Sequence, residues 1–348
     1  MIKEFDIYVY TRDLELIGII DFFSSLRWRR KYYEAGEFEL HIPLNSQTEK
    51  YLKKDNLIIR DDAIEVGIIE SFTINDAGDD GVEVIIYGRF LSSILDRRII
   101  KSKINFSGRI LLGERKILNE MTPFSKLLIS EATLDSDSVV FQVSYKNVYE
   151  YLVTLAKISS IAHRISVDIP NKKMIYENYQ GLDRTETQSI NPRYEFSEDK
   201  SNIDVADYTY SAKTEKNYVL VGGQGEDKNR IMVEVTSGNN KDFDLRETFV
   251  DAKSENQGDL TLAQYKETLK TKGSEKLVES TETLEVTVYA DDYKKLWDLG
   301  DIVNIKKESW GIVMKQRITE IEETIENNNQ KIFATFGTPF VENLTINN

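Results

Sequence analysis

Polar and apolar side chains alternate one by one through much of the first hundred residues. Ile7 and Val9 take one face and Tyr8 and Tyr10 the other, and Leu14–Ile20 follows as a short apolar run. In Glu37–Ile42, Phe38, Leu40 and Ile42 oppose Glu37, Glu39 and His41, the period-two signature of a half-buried strand. Pro43 ends that strand because it has no N–H to give to a ladder. Ile64–Ile74 and Val82–Tyr87 read as two more strands joined by the polar turn NDAGDDG, and Gly88 releases the chain into a short helix, RFLSSILDRR. Two segments far apart, LRWRRKYYEAGEFELHIP from Leu26 and the stretch Leu299–Gly337, look like matching pieces of β-barrel framework.

Between Ile104 and Arg184 the pattern turns to mixed α/β. FSKLLISEA predicts a helix, and Asn147 followed by Glu150 forms a capping box that opens a second, VYEYLVTLAKI. Strands follow at His163–Val167 and Lys173–Tyr176. Tyr218–Val221 and Ile231–Val235 make a hairpin across GGQGEDKNR, and Thr261 with Gln264 caps a helix that Gly273 weakens or ends. Leu284–Val288, Ile302–Ile305, Gly311–Val313 and Ile332–Phe336 close the chain as strands. The expected class is α+β and β-rich, with two β-barrel domains and α/β domains between them. The expected division is a first barrel at 1–103, completed by about 188–212, an inserted α/β domain at 104–187, a second α/β domain at 213–283 and a second barrel at 284–348.

Length supports several cores, since 348 residues exceed what one ordinary core serves. With 45 Lys+Arg against 59 Asp+Glu the net charge is -14, which opposes holding a phosphate backbone and suits a surface that nucleic acid slides past. There is no cysteine, so neither disulfide nor thiol chemistry is available. MIKEFDIYVYTRD lacks the apolar core of a secretory signal, and no run approaches the ~18 apolar residues of a membrane span. Synthesis in a bacterial cytoplasm is the expectation.

Three segments and the two histidines invite a chemical reading, and a plainer reading fits each one better. If Gly81 takes position six of a calcium loop, Gly78 and Tyr87 fall where ligands belong. In GGQGEDKNR, Lys228 stands where a dinucleotide loop needs its third glycine, and a strand follows instead of a helix. RWRRKYY mixes basic and aromatic residues as single-strand binders do. On a strand, however, Leu26 and Trp28 point one way and Arg27 and Arg29 the other. A subunit contact through Arg27, Arg29 and Arg30 is the better reading, because arginine is enriched in interface cores. His41 and His163 are the only histidines, and solvent exposure beside Glu39 accounts for His41. No catalytic, metal or cofactor set emerges.

WRRKYYEAGEFELHIP resembles the W-x-R-x-Y…G-x-F-x-L-x-x-P signature of tail hub proteins of Gram-positive phages and prophages, the Siphovirus ReqiPepy6 Gp37-like family. EVGIIES, YGRFLSSILDRRI, GLDRT, SNI, NYVLVGGQGEDKNR, GDIV and WGI…RITEIEE match in order along nearly the whole chain. The resemblance implies a virion protein with the fold of a myophage baseplate hub and no cofactor. Three copies would form a ring whose six barrels mimic sixfold symmetry, joining the tail tube and distal tail protein to a trimeric spike or receptor-binding fibre. The tape-measure protein and DNA would pass through its lumen without specific binding, at the tail tip of a phage, prophage or phage-tail-like bacteriocin. Many relatives continue into a cell-wall hydrolase or carbohydrate-binding region. A tail-associated hydrolase and an adhesin are therefore the rival readings, the first needing a catalytic module and the second clustered exposed aromatics.

Overall fold

The computed structural model describes residues 5–76, 81–258, 260–277, 281–288, 292–326 and 329–337, with backbone alone at 204, 205, 281–283, 285 and 287. The first stretch forms β1 (Ile7–Tyr10), β2 (Leu16–Ile20), β3 (Ser25–Lys31), β4 (Glu37–Pro43), β5 (Leu57–Arg60), β6 (Val66–Ile68), β7 (Ser71–Asp76) and β8 (Val82–Arg89). The single strand expected over Ile64–Ile74 is two, because β6 pairs with β5 while β7 turns away to pair with β8. Residues 77–80 of the expected turn lie outside the described residues. The helix expected after Gly88 is a tighter 3₁₀ run, Leu91–Arg97.

The α/β stretch holds β9 (Ile104–Arg109), α1 (Ile110–Glu120), β10 (Leu127–Ile129), β11 (Ser138–Val143), α2 (Val148–Ser159), β12 (Ala162–Asp168) and β13 (Lys173–Tyr179). FSKLLISEA is not a helix. Its Leu127 and Ile129 pack on the core while Leu128 stays half exposed, and the segment pairs in parallel with β13. Tertiary pairing overrides helix propensity in so short an apolar run. The real helix, α1, escapes the sequence reading because charged Glu114 and Arg115 interrupt its buried face. Asn147 caps α2, its side chain accepting from the Glu150 N–H, but this is one half of the expected box: the Glu150 carboxylate does not return a bond to the Asn147 N–H.

The remainder gives β14 (Glu195–Ser197), β15 (Ile203–Ser211), β16 (Tyr218–Gly222), β17 (Met232–Thr236), β18 (Glu247–Asp251), α3 (Leu262–Ser274), β19 (Thr281–Val288), β20 (Ile302–Lys307), β21 (Ile312–Glu326) and β22 (Asn329–Gly337). The β16–β17 hairpin gains β18 in parallel, and α3 covers one face of the three strands through Val219, Val221, Tyr265 and Leu269. Both halves of the Thr261–Gln264 capping box form. Gly273 stands in the last turn of α3, which ends one residue later at Ser274, where the sequence placed its weakening or end. A Cβ there would stand 2.5 Å from a Val235 methyl, so glycine lets helix and sheet close up.

Ten strands share one sheet, whose path runs β15-β19-β22-β21-β3-β4-β8-β7, with β20 on β21 and β14 on β20. The two ends of the chain meet in its middle, where β3 and β21 pair antiparallel from Lys31↔Glu320 to Ser25↔Glu326. A four-stranded sheet, β2-β1-β5-β6, packs on the β3-β4-β8 side around Trp28, Phe38, Leu40, Val84 and Ile86. Trp28 is fully buried, 4.6 Å from the Phe90 ring, and truncating it would cost about 3–5 kcal/mol. A second core lies under β19 to β22, where Phe196 touches Trp297 and Phe336 at ring separations of 5.2 and 5.0 Å. Each half is barrel-like, yet among the described residues the ladders close neither into a barrel. β14 and β15, expected to complete the first barrel, pair instead with β20 and β19 in the second half.

Candidate functional site

The face of the great sheet turned away from its cores carries a ladder of charge. Arg27 Nε lies 2.8 Å from Glu322, and Arg29 reaches Glu320, Glu322 and Glu37 at 3.1–3.3 Å. Cross-strand register puts Arg27 opposite Glu39, Arg29 opposite Glu37 and Glu322, and Lys31 opposite Glu320, so opposite charges pair strand by strand. His41 is largely covered, not solvated as expected: its Nε2 lies 2.8 Å from Glu39 and its Nδ1 3.3 Å from Glu83. Burial raises the Glu320 carboxyl above its ordinary range despite Arg29 and Lys31 beside it. Two shallow grooves flank Arg27. One, of about 360 Å³, is lined by Glu37, Glu39, Glu70, Tyr87 and Arg89; the other, of about 540 Å³, by Glu322, Glu326, Lys331 and Phe333.

β7 and β15 are the ends of the sheet path, and among the described residues neither pairs with a further strand. Every residue of β7 is exposed. Phe72 and Ile74, on the core side of that strand, are 41% and 49% exposed, and Tyr210 on β15 is 57% exposed. Open edges with apolar side chains are templates for another strand.

Of the three arginines singled out in the sequence, only Arg27 and Arg29 lie on this bare face. Arg30 shares the inward face with Leu26 and Trp28 and is buried, its Nε 2.8 Å from Glu65 and its Nη1 2.5 Å from Asp298. The same buried cluster takes in Tyr293, Glu323 and Arg60. The alternation that exposes Arg27 also buries Arg30, and it buries Glu323 between Ile321 and Ile325. The sequence reading overlooked that parity.

Other titratable groups are structural. His163 is buried against Tyr176, and burial with Arg115 nearby lowers it to about 4. It borders a void of about 20 Å³, room for a single water. Among the described residues no group of His, Asp or Glu has metal-site geometry, and no helix is long and apolar enough to cross a membrane. What the surface offers is edges and a charged wall.

The sequence matches the model of the Siphovirus ReqiPepy6 Gp37-like protein family over residues 6–107 and 117–338. The chain belongs to that family. Its fold is similar to that of a tail protein from Neisseria meningitidis MC58, at 14% identity and TM-score 0.61, with 96% of each chain covered. A 43 kDa tail protein of prophage MuSo2 from Shewanella oneidensis is similar at 13% identity and TM-score 0.59, covering 96% of this chain and 98% of that one. The prophage tail protein gp18 from Listeria monocytogenes EGD-e gives 14%, 0.55, 96% and 94%. Among curated proteins there is no sequence match. By family and fold, then, the chain is phage-tail-like.

In this Gp37-like chain the motif segments are joints. GLDRT and GDIV, more than a hundred residues apart, lie against each other. A Cβ on Gly181 would fall 2.0 Å from the Gly300 carbonyl carbon. The buried carboxylate of Asp301 accepts from the Leu182 N–H at 2.7 Å and from Arg184 Nε at 2.5 Å. Tyr32 of the tryptophan motif is fully buried, with its hydroxyl donating to the Ser160 carbonyl and the Arg317 guanidinium 4.8 Å from its ring. Arg89 holds Glu70 in a bidentate pair at 2.8 and 3.0 Å.

Proposed function

We propose that this chain is a non-enzymatic structural component of a phage or prophage tail tip, a hub that assembles as a homotrimeric ring. The observation that carries the reading is an eight-strand path with an open edge at each end and a bare, polar face. β7 of one copy pairing with β15 of the next is a heterologous contact, which closes into a ring when the rotation permits. Three copies would then line a lumen with about 24 strands, their cores outside and the charged face inside. Such a ring sits between the sixfold tail tube and distal tail protein on one side and a threefold spike or receptor-binding fibre on the other.

The described side chains of the bare face support a lumen that DNA and the tape-measure protein pass without sticking. Glu37, Glu39, Glu83, Glu320, Glu322 and Glu326 outnumber Arg27, Arg29, Lys31, Arg89 and Lys331. Arg27 and Arg29, in the middle of the path, balance those glutamates in this reading. Light scattering of the purified chain over a concentration series is the test, and a trimer mass is expected. A strictly monomeric chain whose β7 and β15 residues stay protease-accessible when added to tail tubes would sink the ring. Arg27→Glu with Arg29→Glu should leave the trimer intact; its loss would assign those arginines to subunit contact.

A further inference from the structure

At the seam between β3 and β21 the core side of the great sheet is charged, and we propose that this buried wall fixes the angle between the two halves of the chain. The inference takes its purpose from the ring reading, but its test does not depend on that reading. Arg30, Arg60 and Glu65 come from the first half, and Tyr293, Glu323 and, half exposed at the rim of the wall, Asp298 from the second. Arg30 holds Glu65 at 2.8 Å, Asp298 at 2.5 Å and the Tyr293 hydroxyl at 3.0 Å. Tyr293 donates to one Glu323 oxygen at 2.9 Å, and Arg60 donates to the other at 2.9 Å. The side chains of Arg60 and Glu323 are only 1% and 2% exposed, and the Arg60 guanidinium sits 4.0 Å from the Phe5 ring centroid.

Placement explains why such a cluster sets an angle. Trp28 and Ile325 belong to the first core, Tyr32 and Ile321 to the second, and the ionic cluster stands between them. The twist between neighbouring strands ranges from about −10 to −35°, so a lone β3–β21 pair would leave the halves free to swing. Apolar contacts tolerate repacking. Buried charges do not, because any separation strands a charge in a medium that cannot solvate it. Directional hydrogen bonds across the seam therefore hold one geometry, as a closing ring requires of every copy.

The chain has no cysteine, so Thr73→Cys on β7 and Thr209→Cys on β15 accept spin labels cleanly, remote from the wall. Double electron–electron resonance on labelled chain diluted into unlabelled chain reads the distance between the two ends of the sheet. A narrow distribution is expected with the intact wall, and a width roughly doubled in Arg30→Met with Glu65→Gln and in Arg60→Met with Glu323→Gln. Circular dichroism and cooperative melting report whether these variants fold. Tyr293→Phe, which loses only the bridging hydroxyl, covers the case in which they do not, and it too should broaden the distribution. Folded variants with the original width would overturn the proposal. A monomer with a narrow distribution that broadens in the variants would keep it while removing the ring.

Discussion

Glu114 shows how much a single buried carboxyl weighs in this fold. It is fully buried on α1 and accepts from Tyr176 at 2.9 Å and Asn178 at 2.8 Å, while its second oxygen has no partner. Burial pushes it up to about 7 from an ordinary 4.5, against the hydrogen bonds and the Arg115 charge that favour ionisation. The folded chain thus keeps a proton that the unfolded chain has lost. The stability this confers is complete below about pH 4.5 and is lost as pH rises through about 7. Glu114→Gln is neutral at every pH, so its melting temperature should fall less between pH 5 and 8 than that of the native chain. His163, with its opposite shift, is present in both proteins and cancels in the comparison. Parallel melting curves for the two would show that Glu114 is ionised in the folded state.

At the scale of elements, caps and close approaches decide where the chain may bend. Asn147 accepts from Glu150 N–H at 3.1 Å and donates to Asp96 twice at 2.9 Å, tying the start of α2 to the 3₁₀ run before it. Asn147→Ala should cost about 1–2 kcal/mol and speed hydrogen exchange in the first turn of α2 while leaving α3 unchanged. Gly181→Ala drives a methyl into the Gly300 backbone and should cost about 1–3 kcal/mol, read as a lower denaturation midpoint; an unchanged midpoint would mean the joint can open. The alternating strands and the Asn147 and Thr261 caps were legible because each rests on a local rule. β10 and α1 were not, since a three-residue strand is chosen by its partner and a helix with buried charges hides its face. The wall was legible in part: parity places Arg30 and Glu323 inside, but their meeting depends on a pairing that no local rule supplies.

For the whole molecule the sequence reading expected two barrels, and among the described residues two cores lie on one sheet with neither half closed. The family resemblance and the strand-rich ends pointed to the halves, yet nothing in the spacing revealed that β3 and β21 are neighbours. If the bare face lines a ring, its inner wall should carry more acidic than basic groups. The rate at which DNA crosses it should then vary little with salt, because counterion release is absent where phosphates are not held. A trimer whose wall is net positive, or passage that slows steeply as salt falls, would favour a hub that grips nucleic acid.

The β3–β21 seam also dictates a schedule. Residues 25–31 emerge from the ribosome early, whereas their partners at 320–326 emerge near the end of the described chain. Until then β3 is a bare edge on a half-built sheet, and Arg27, Arg29 and Lys31 along it are the kind of charges that discourage stray strands from adding there. Contacts so distant in sequence make folding slow and leave partly made chains exposed to aggregation. They also act as proofreading: a polypeptide released before β21 holds β15 and β19 but lacks the strands that join them to β3, so the two halves of its sheet stay unconnected.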